Sequence, residues 1–170
     1  MTRALPTTLS VSRLVVRVLI LLNLLGGAAV LALLIASPIT HGWVKELFHL
    51  SDDDTATQVL VLLGVVGLGS VLFNHILLTR LLGIIDTVRL GDPFVAANAA
   101  RLRVAAWAII GLEVLYFIAG AVGARLVPTV AMEPNWGIEA NRWLAVMLLF
   151  VLAQVFEDGA RMREDLSGTV

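Results

Sequence analysis

The chain has 170 residues, of which 59% are hydrophobic and 15% charged, with a net charge of −1 and a mean hydropathy of +0.93. A soluble domain of this length carries about a quarter charged residues, so the composition points to lipid as the solvent, and the absence of a basic tract leaves no expectation of direct nucleic-acid binding. The chain has no cysteine, which excludes disulfides, thiolate metal sites and cysteine nucleophiles.

Crossing the hydrocarbon core takes about 20 helical residues, and four runs meet that length, predicting an all-α integral membrane protein with four transmembrane helices in one compact bundle, a single domain over residues 1–170. The first covers about 14–36 and is closed by Pro38. Arg3, Arg13 and Arg17 before it and Ala36-Ser37-Pro38 after it resemble a signal peptide. The apolar run is too long for a typical h-region of about 7–15 residues, however, and reads as a retained span. Between the first and second spans, Trp43, Val44, Leu47, Phe48 and Leu50 alternate at helical spacing with Lys45, Glu46 and His49. That pattern predicts a short amphipathic helix lying on the outer membrane surface. Ser51-Asp52-Asp53-Asp54 then supplies a cap and acidic groups for the positive end of the second helix.

The second span covers about 57–82, and its helix continues past the membrane through Val88 to Gly91, a natural left-handed terminator. Asp92-Pro93 starts a turn, Phe94 and Val95 fold back on the bundle, and Asn98 is placed to cap the third helix. The third span covers about 104–123. The fourth, at about 139–157, is purely apolar only from Trp143 to Phe156 and needs a snorkelling Arg142 to reach full thickness. Its helix extends into a polar tail. Ala28 and Ala32, Ala119 and Gly123, and Gly64, Gly67 and Gly69 offer small surfaces for close helix approach and permit a homo-oligomer without demanding one.

Orientation is set by the arginines. With the N-terminus inside, Arg3, Arg13, Arg17, Arg80, Arg89, Arg101, Arg103, Arg161 and Arg163 fall on the inner side, against only Lys45, Arg125 and Arg142 outside. This positive-inside bias predicts both termini in the cytoplasm. Trp43, Trp136 and Trp143 then lie near the outer interface and Trp107 near the inner one, where indoles prefer to sit.

Five polar residues fall at membrane depth: Asn23, Asn74, His75, Glu113 and Gln154. Counted from the inner interface, they come within one or two turns of one another, so all four helices offer a polar group to roughly one layer. An intramembrane acid is expensive unless it is protonated, paired or hydrated. Glu113 is therefore expected to be protonated, paired with His75 or facing a wet cavity. The layer reads either as a proton relay or ligand site, or as a hydrogen-bonded network that fixes helix register. No catalytic residue, cofactor or metal site is expected. The spans carry only His75 for a haem iron, and a site of His41, His49 and Asp52 to Asp54 lacks the spacing and central glycine of a calcium loop. Hydrolase, P-loop and dinucleotide motifs are missing.

Two inner stretches carry a family resemblance. One is Arg89-Leu90-Gly91-Asp92-Pro93-Phe94-Val95 with Asn98, Arg101, Leu102 and Arg103. The other is Leu152-Ala153-Gln154-Val155-Phe156 with Gly159-Ala160-Arg161-Met162-Arg163-Glu164-Asp165-Leu166 and Gly168-Thr169-Val170. Together they resemble the bacterial membrane proteins grouped as domain-of-unknown-function family 2975. The resemblance implies a four-helix protein of the bacterial inner membrane, with no established activity and with some members encoded beside a small helix-turn-helix regulator. A cytoplasmic protein partner of that kind is implied in the same way. The family often has glutamate where this chain has Gln154, which weakens any idea of an essential acid there.

Arg101 and Arg103 could pair with Glu157, Asp158, Glu164 or Asp165 and clamp the inner ends of helices two to four. Asp92, Pro93, Phe94, Asn98, Arg101, Arg103, Arg161, Arg163, Glu164 and Asp165 thus form either a structural clamp or a docking face. The expectation is a non-enzymatic membrane sensor or accessory subunit working through this cytoplasmic face. The alternative is a small transporter or proton-coupled carrier using Glu113 and His75.

Overall fold

The computed structural model describes residues 7–36, 42, 46, 53–126 and 140–167. Four long helices account for nearly all of them, and no strand occurs among the described residues. They are α1 (Thr7–Ile35), α2 (Asp53–Arg89), α3 (Ala96–Leu126) and α4 (Ala140–Ser167). Each holds a stretch long and apolar enough to cross a membrane: Leu9–Ile35, Thr57–Arg89, Ala96–Ala124 and Asn141–Asp165. The chain is a multi-pass membrane protein. Most of the surface helix expected over 40–50, the cap at Ser51-Asp52 and the metal reading of His41, His49 and Asp52 lie outside the described residues; Gly42 and Glu46 are helical.

The helices outrun their apolar cores. At about 1.5 Å per residue, the 37 residues of α2 span roughly 55 Å, well beyond the ~30 Å of hydrocarbon. Nothing interrupts the i to i−4 ladder between the apolar stretch and Gly91, so the helix continues through its charged end. The same holds for α4, which runs through its polar segment to Ser167.

The one compact bundle expected from the sequence is instead an open row. α1 packs on α2, α2 on α3 and α3 on α4, while α1 and α4 do not meet among the described residues. Lipid provides the reason. Between helices in hydrocarbon there is no hydrophobic gain from closing the ring, and contact comes from packing where small residues let backbones approach. In the α1–α2 seam a side chain on Gly27 would meet Val71 at 2.9 Å, and one on Gly64 would meet Leu34 at 2.7 Å. Gly67 faces Val30 in the same seam, and Gly69 faces Leu115 between α2 and α3. The buried apolar residues of α3 and α4 are mostly alanines: Ala99, Ala105, Ala106, Ala108, Ala153 and Ala160. Ala28 and Ala32, by contrast, are exposed and serve no described interface. Outward-facing leucines such as Leu14, Leu21, Leu22 and Leu25 are more than half exposed in the protein alone, as a lipid-facing surface requires.

Neighbouring helices run antiparallel, so the N-terminal end of α1, the α2–α3 turn and the C-terminal end of α4 share one end of the row. We call this the turn end and the opposite one the loop end.

Candidate functional site

The turn end is built around a tight helix stop. Gly91 adopts φ +83°, a left-handed conformation that costs glycine nothing in sterics. The Asp92 amide donates to Thr87 O at 3.1 Å and the Gly91 amide to Val88 O at 3.1 Å, the paired bonds of a Schellman motif. Leu90 N also bonds Asp86 O. The carbonyls of Asp86, Thr87 and Val88 are thereby satisfied within the turn.

Asn98 is the hub of this end. It is fully buried, and no other polar residue is buried among the described residues. Its Nδ2 donates to Thr87 Oγ1 at 2.7 Å and to Pro93 O at 2.8 Å, while its Oδ1 accepts from Arg101 Nη1 at 2.7 Å. The Asn98 backbone amide bonds Val95 O at 2.8 Å. The expectation that Asn98 caps α3 is therefore corrected. α3 begins at Ala96, and Asn98 sits within its first turn with its side chain directed back to α2 and the connecting loop. The residue chemistry is that of a cap, but the sharp turn at Pro93 brings Thr87 within closer reach than the first amides of α3. Arg101 completes the join: its Nη1 also donates to Gly83 O at 3.1 Å. A side chain at Gly83 would lie 2.8 Å from Arg101 Nε, so the guanidinium approaches that backbone only because residue 83 is glycine. Arg101 is thus committed to α2 and takes no part in the expected clamp onto α4.

The clamp to α4 is made by other residues. Phe94 packs on Phe156, ring centroids 5.2 Å apart and planes tilted by 41°. Gly159 makes room for it, since a Cβ there would be 2.9 Å from Phe94 Cδ1. Two ion pairs join the same ends, Arg103 with Glu157 and Arg163 with Asp92, and within α4 Arg161 also pairs with Glu157 at 2.7 Å. Of the carboxylates considered on α4, Glu157 is the one that meets Arg103. Asp158 accepts from Gln154 Nε2 at 3.2 Å within α4, and Glu164 and Asp165 have interactions of their own. The two stretches that stand apart in the sequence therefore form a single clasp, the α2–α3 turn closing on the polar extension of α4.

The intramembrane residues do not converge. Asn23 Nδ2 donates to Val71 O at 2.9 Å across the α1–α2 seam. Asn74 and His75 are half-buried on α2, and His75 Nδ1 is buried with no hydrogen-bond partner among the described residues. Glu113 pairs with Arg142 Nη1 at 2.8 Å, not with His75. Helix rotation is the cause. Gly111 and Leu115 of α3 meet Phe73 and Gly69 of α2, which leaves Glu113 on the side of α3 that faces α4. The antiparallel register that brings Glu157 to Arg103 and Phe150 to Trp107 places Arg142 opposite Glu113. Gln154 bonds only within its own helix.

Sequence reasoning gave Arg142 no partner, Thr87 no role and Arg13 no link to Asp86, which it meets at 2.8 Å. Antiparallel register alone would have put Arg13 beside Asp86, but the pairing of Thr87 with Asn98 carries no sequence signal. Among the described residues, no three His, Asp or Glu side chains gather as a metal site.

The model of the family described as "Protein of unknown function (DUF2975)" matches residues 46–170. The chain belongs to this family. The DUF2975 match covers α2, α3 and α4, and with them both halves of the clasp, whereas Arg13 and Asn23 of α1 lie outside it. No curated protein and no solved structure matches the chain.

Proposed function

We propose that this DUF2975 protein is a non-enzymatic protein of the bacterial inner membrane, a sensor or accessory subunit that acts through its turn end in the cytoplasm. The observation that carries this reading is the clasp. The α2–α3 turn and the start of α3 grip the extension of α4 through one aromatic contact and two ion pairs, with Arg103 and Arg163 about half or more exposed. Exposed ion pairs contribute only about 0–1 kcal/mol each, so the clasp closes weakly while the buried Asn98 hub holds its base firmly. A weak latch on a rigid hinge suits a switch whose equilibrium a small change in helix packing shifts. The cytoplasmic orientation rests on the arginine excess at this end. A cytoplasmic protein partner, by analogy with family members encoded beside a small regulator, would read the state of the α4 extension.

A proton-coupled carrier has less in its favour, because Glu113 pairs with Arg142 and not with His75. The deciding experiment is complementation of a deletion strain. Full-length protein should restore the wild-type phenotype, and a chain ending before Glu157 should insert into the membrane yet fail to restore it. Full complementation by the shortened chain would refute the reading.

A further inference from the structure

At the turn end α1 and α2 leave the membrane side by side, and a cavity of about 410 Å³ opens there, lined by Arg13, Asp86, Arg89 and Leu90. Arg13 Nε lies 2.8 Å from Asp86 Oδ1, but its N–H is not aligned for a hydrogen bond, and Nη2 reaches Oδ2 only at 3.5 Å. Arg89, one turn beyond Asp86, has a buried Nε with no hydrogen-bond partner among the described residues. A buried guanidinium nitrogen without an acceptor is expensive and calls for an explanation. Capping of α2 does not supply one, since the carbonyls of Asp86, Thr87 and Val88 already accept amides of the turn. Two guanidiniums against one carboxylate leave the cavity with one net positive charge.

We propose that this cavity binds a phosphate oxyanion, with the Arg89 guanidinium as principal donor and Arg13 as the second. Planar guanidinium forks match phosphate oxygens in charge and geometry. The location defines how such a group would arrive. Arg13 immediately precedes the apolar run of α1 that begins at Leu14, which sets the cavity at the edge of the hydrocarbon. Leu90, beside Arg89, is 84% exposed, an apolar surface suited to the chain-bearing side of a lipid. The volume exceeds what a bare phosphate fills and leaves room for an esterified group. The phosphate is accordingly that of an anionic lipid head group or a free phosphate ion, and the experiment separates the two. The proposal depends on the membrane placement of the helices and not on the signalling role.

Native mass spectrometry of the full chain in neutral detergent would count bound phosphatidylglycerol against phosphatidylcholine, with and without inorganic phosphate. Arg89→Gln should weaken phosphatidylglycerol binding at least about tenfold. Arg80→Gln, which removes an equal charge from an exposed position on the same helix outside the cavity, should change it less than about twofold. Arg89→Lys, which keeps the charge but loses the fork, should fall between. Selective lipid retention that inorganic phosphate does not displace identifies a head-group site. Phosphate binding that Arg89→Gln abolishes, without lipid selectivity, identifies a free-anion site. Equal losses in Arg89→Gln and Arg80→Gln, or no loss in either, would overturn the proposal.

Discussion

Replacing Asn98 by leucine tests the hub most severely. The side chain is fully buried, so none of its bonds is exchanged for water in the folded state. Two neutral hydrogen bonds, to Thr87 Oγ1 and Pro93 O, are lost at about 1 kcal/mol each, and the bond from Arg101 is charge-assisted and contributes about 1.5–3 kcal/mol. Thr87 keeps its bond to Ile84 O at 2.8 Å, and Arg101 keeps Gly83 O, so only Pro93 O and one guanidinium hydrogen are left without partners. Burying leucine in place of the amide offsets about 1–2 kcal/mol. The expected net loss is about 2–4 kcal/mol, read by titration with a denaturing detergent in mixed micelles and far-UV circular dichroism. Asn98→Asp keeps an acceptor for Arg101 while losing both Nδ2 donations, and should fall between the wild type and the leucine variant. Gln154→Leu, an exposed amide bonded only within its own helix, should change stability by less than about 0.5 kcal/mol. A leucine variant at position 98 as stable as the wild type would refute the idea that Asn98 holds the turn to both helices.

The clasp and the spans can be probed in the same titration. Gly159→Ala should destabilise, despite a helix-propensity gain of about 1 kcal/mol, because its Cβ meets Phe94. The same change at Gly120, where nothing lies within 4 Å, should stabilise by up to that amount; equal signs at the two positions would contradict the packing described. Arg163→Glu and Asp92→Arg should each weaken the clasp and together restore it, with a coupling of about 0.2–1 kcal/mol in a double-mutant cycle. For the Glu113–Arg142 pair, either single change to leucine should lower stability more than the double change, because each single change leaves the other charge in the spans without its partner. Additive losses in that cycle would mean that the pair is not formed in lipid.

The four spans, the long run of α2 to Gly91 and the Asp92-Pro93 turn are legible in the sequence, because hydropathy, glycine and proline act locally. The family-like stretches at 89–103 and 152–170 are legible too, as is a clamp between them, with Arg103 and Glu157 among the pairings it offers but Arg101 wrongly included and the Arg163–Asp92 pair missed. Arg103 and Arg101 look alike in sequence, yet one meets Glu157 and the other Gly83 and Asn98. Residues two apart point to different faces of a helix, and hydropathy does not fix rotation when every face of the span is apolar. The same blindness hides the partner of Glu113 and the open row, since a leucine facing lipid and a leucine facing a neighbour are chosen by the same solvent preference. Asn98 misleads for another reason: an asparagine just after a proline turn has the chemistry of a cap whether it bonds forward or back.

Whether the α2–α3 turn and the α4 extension form one unit in a bilayer is the central question. Because the chain has no cysteine, spin labels placed at the exposed residues Leu90 and Met162 would report only on that join. In lipid nanodiscs, pulsed electron resonance should give a short, narrow distance distribution, which broadens and lengthens when Arg103 and Arg163 are both changed to glutamate. A distribution already broad in the intact clasp, or one indifferent to those two changes, would contradict it.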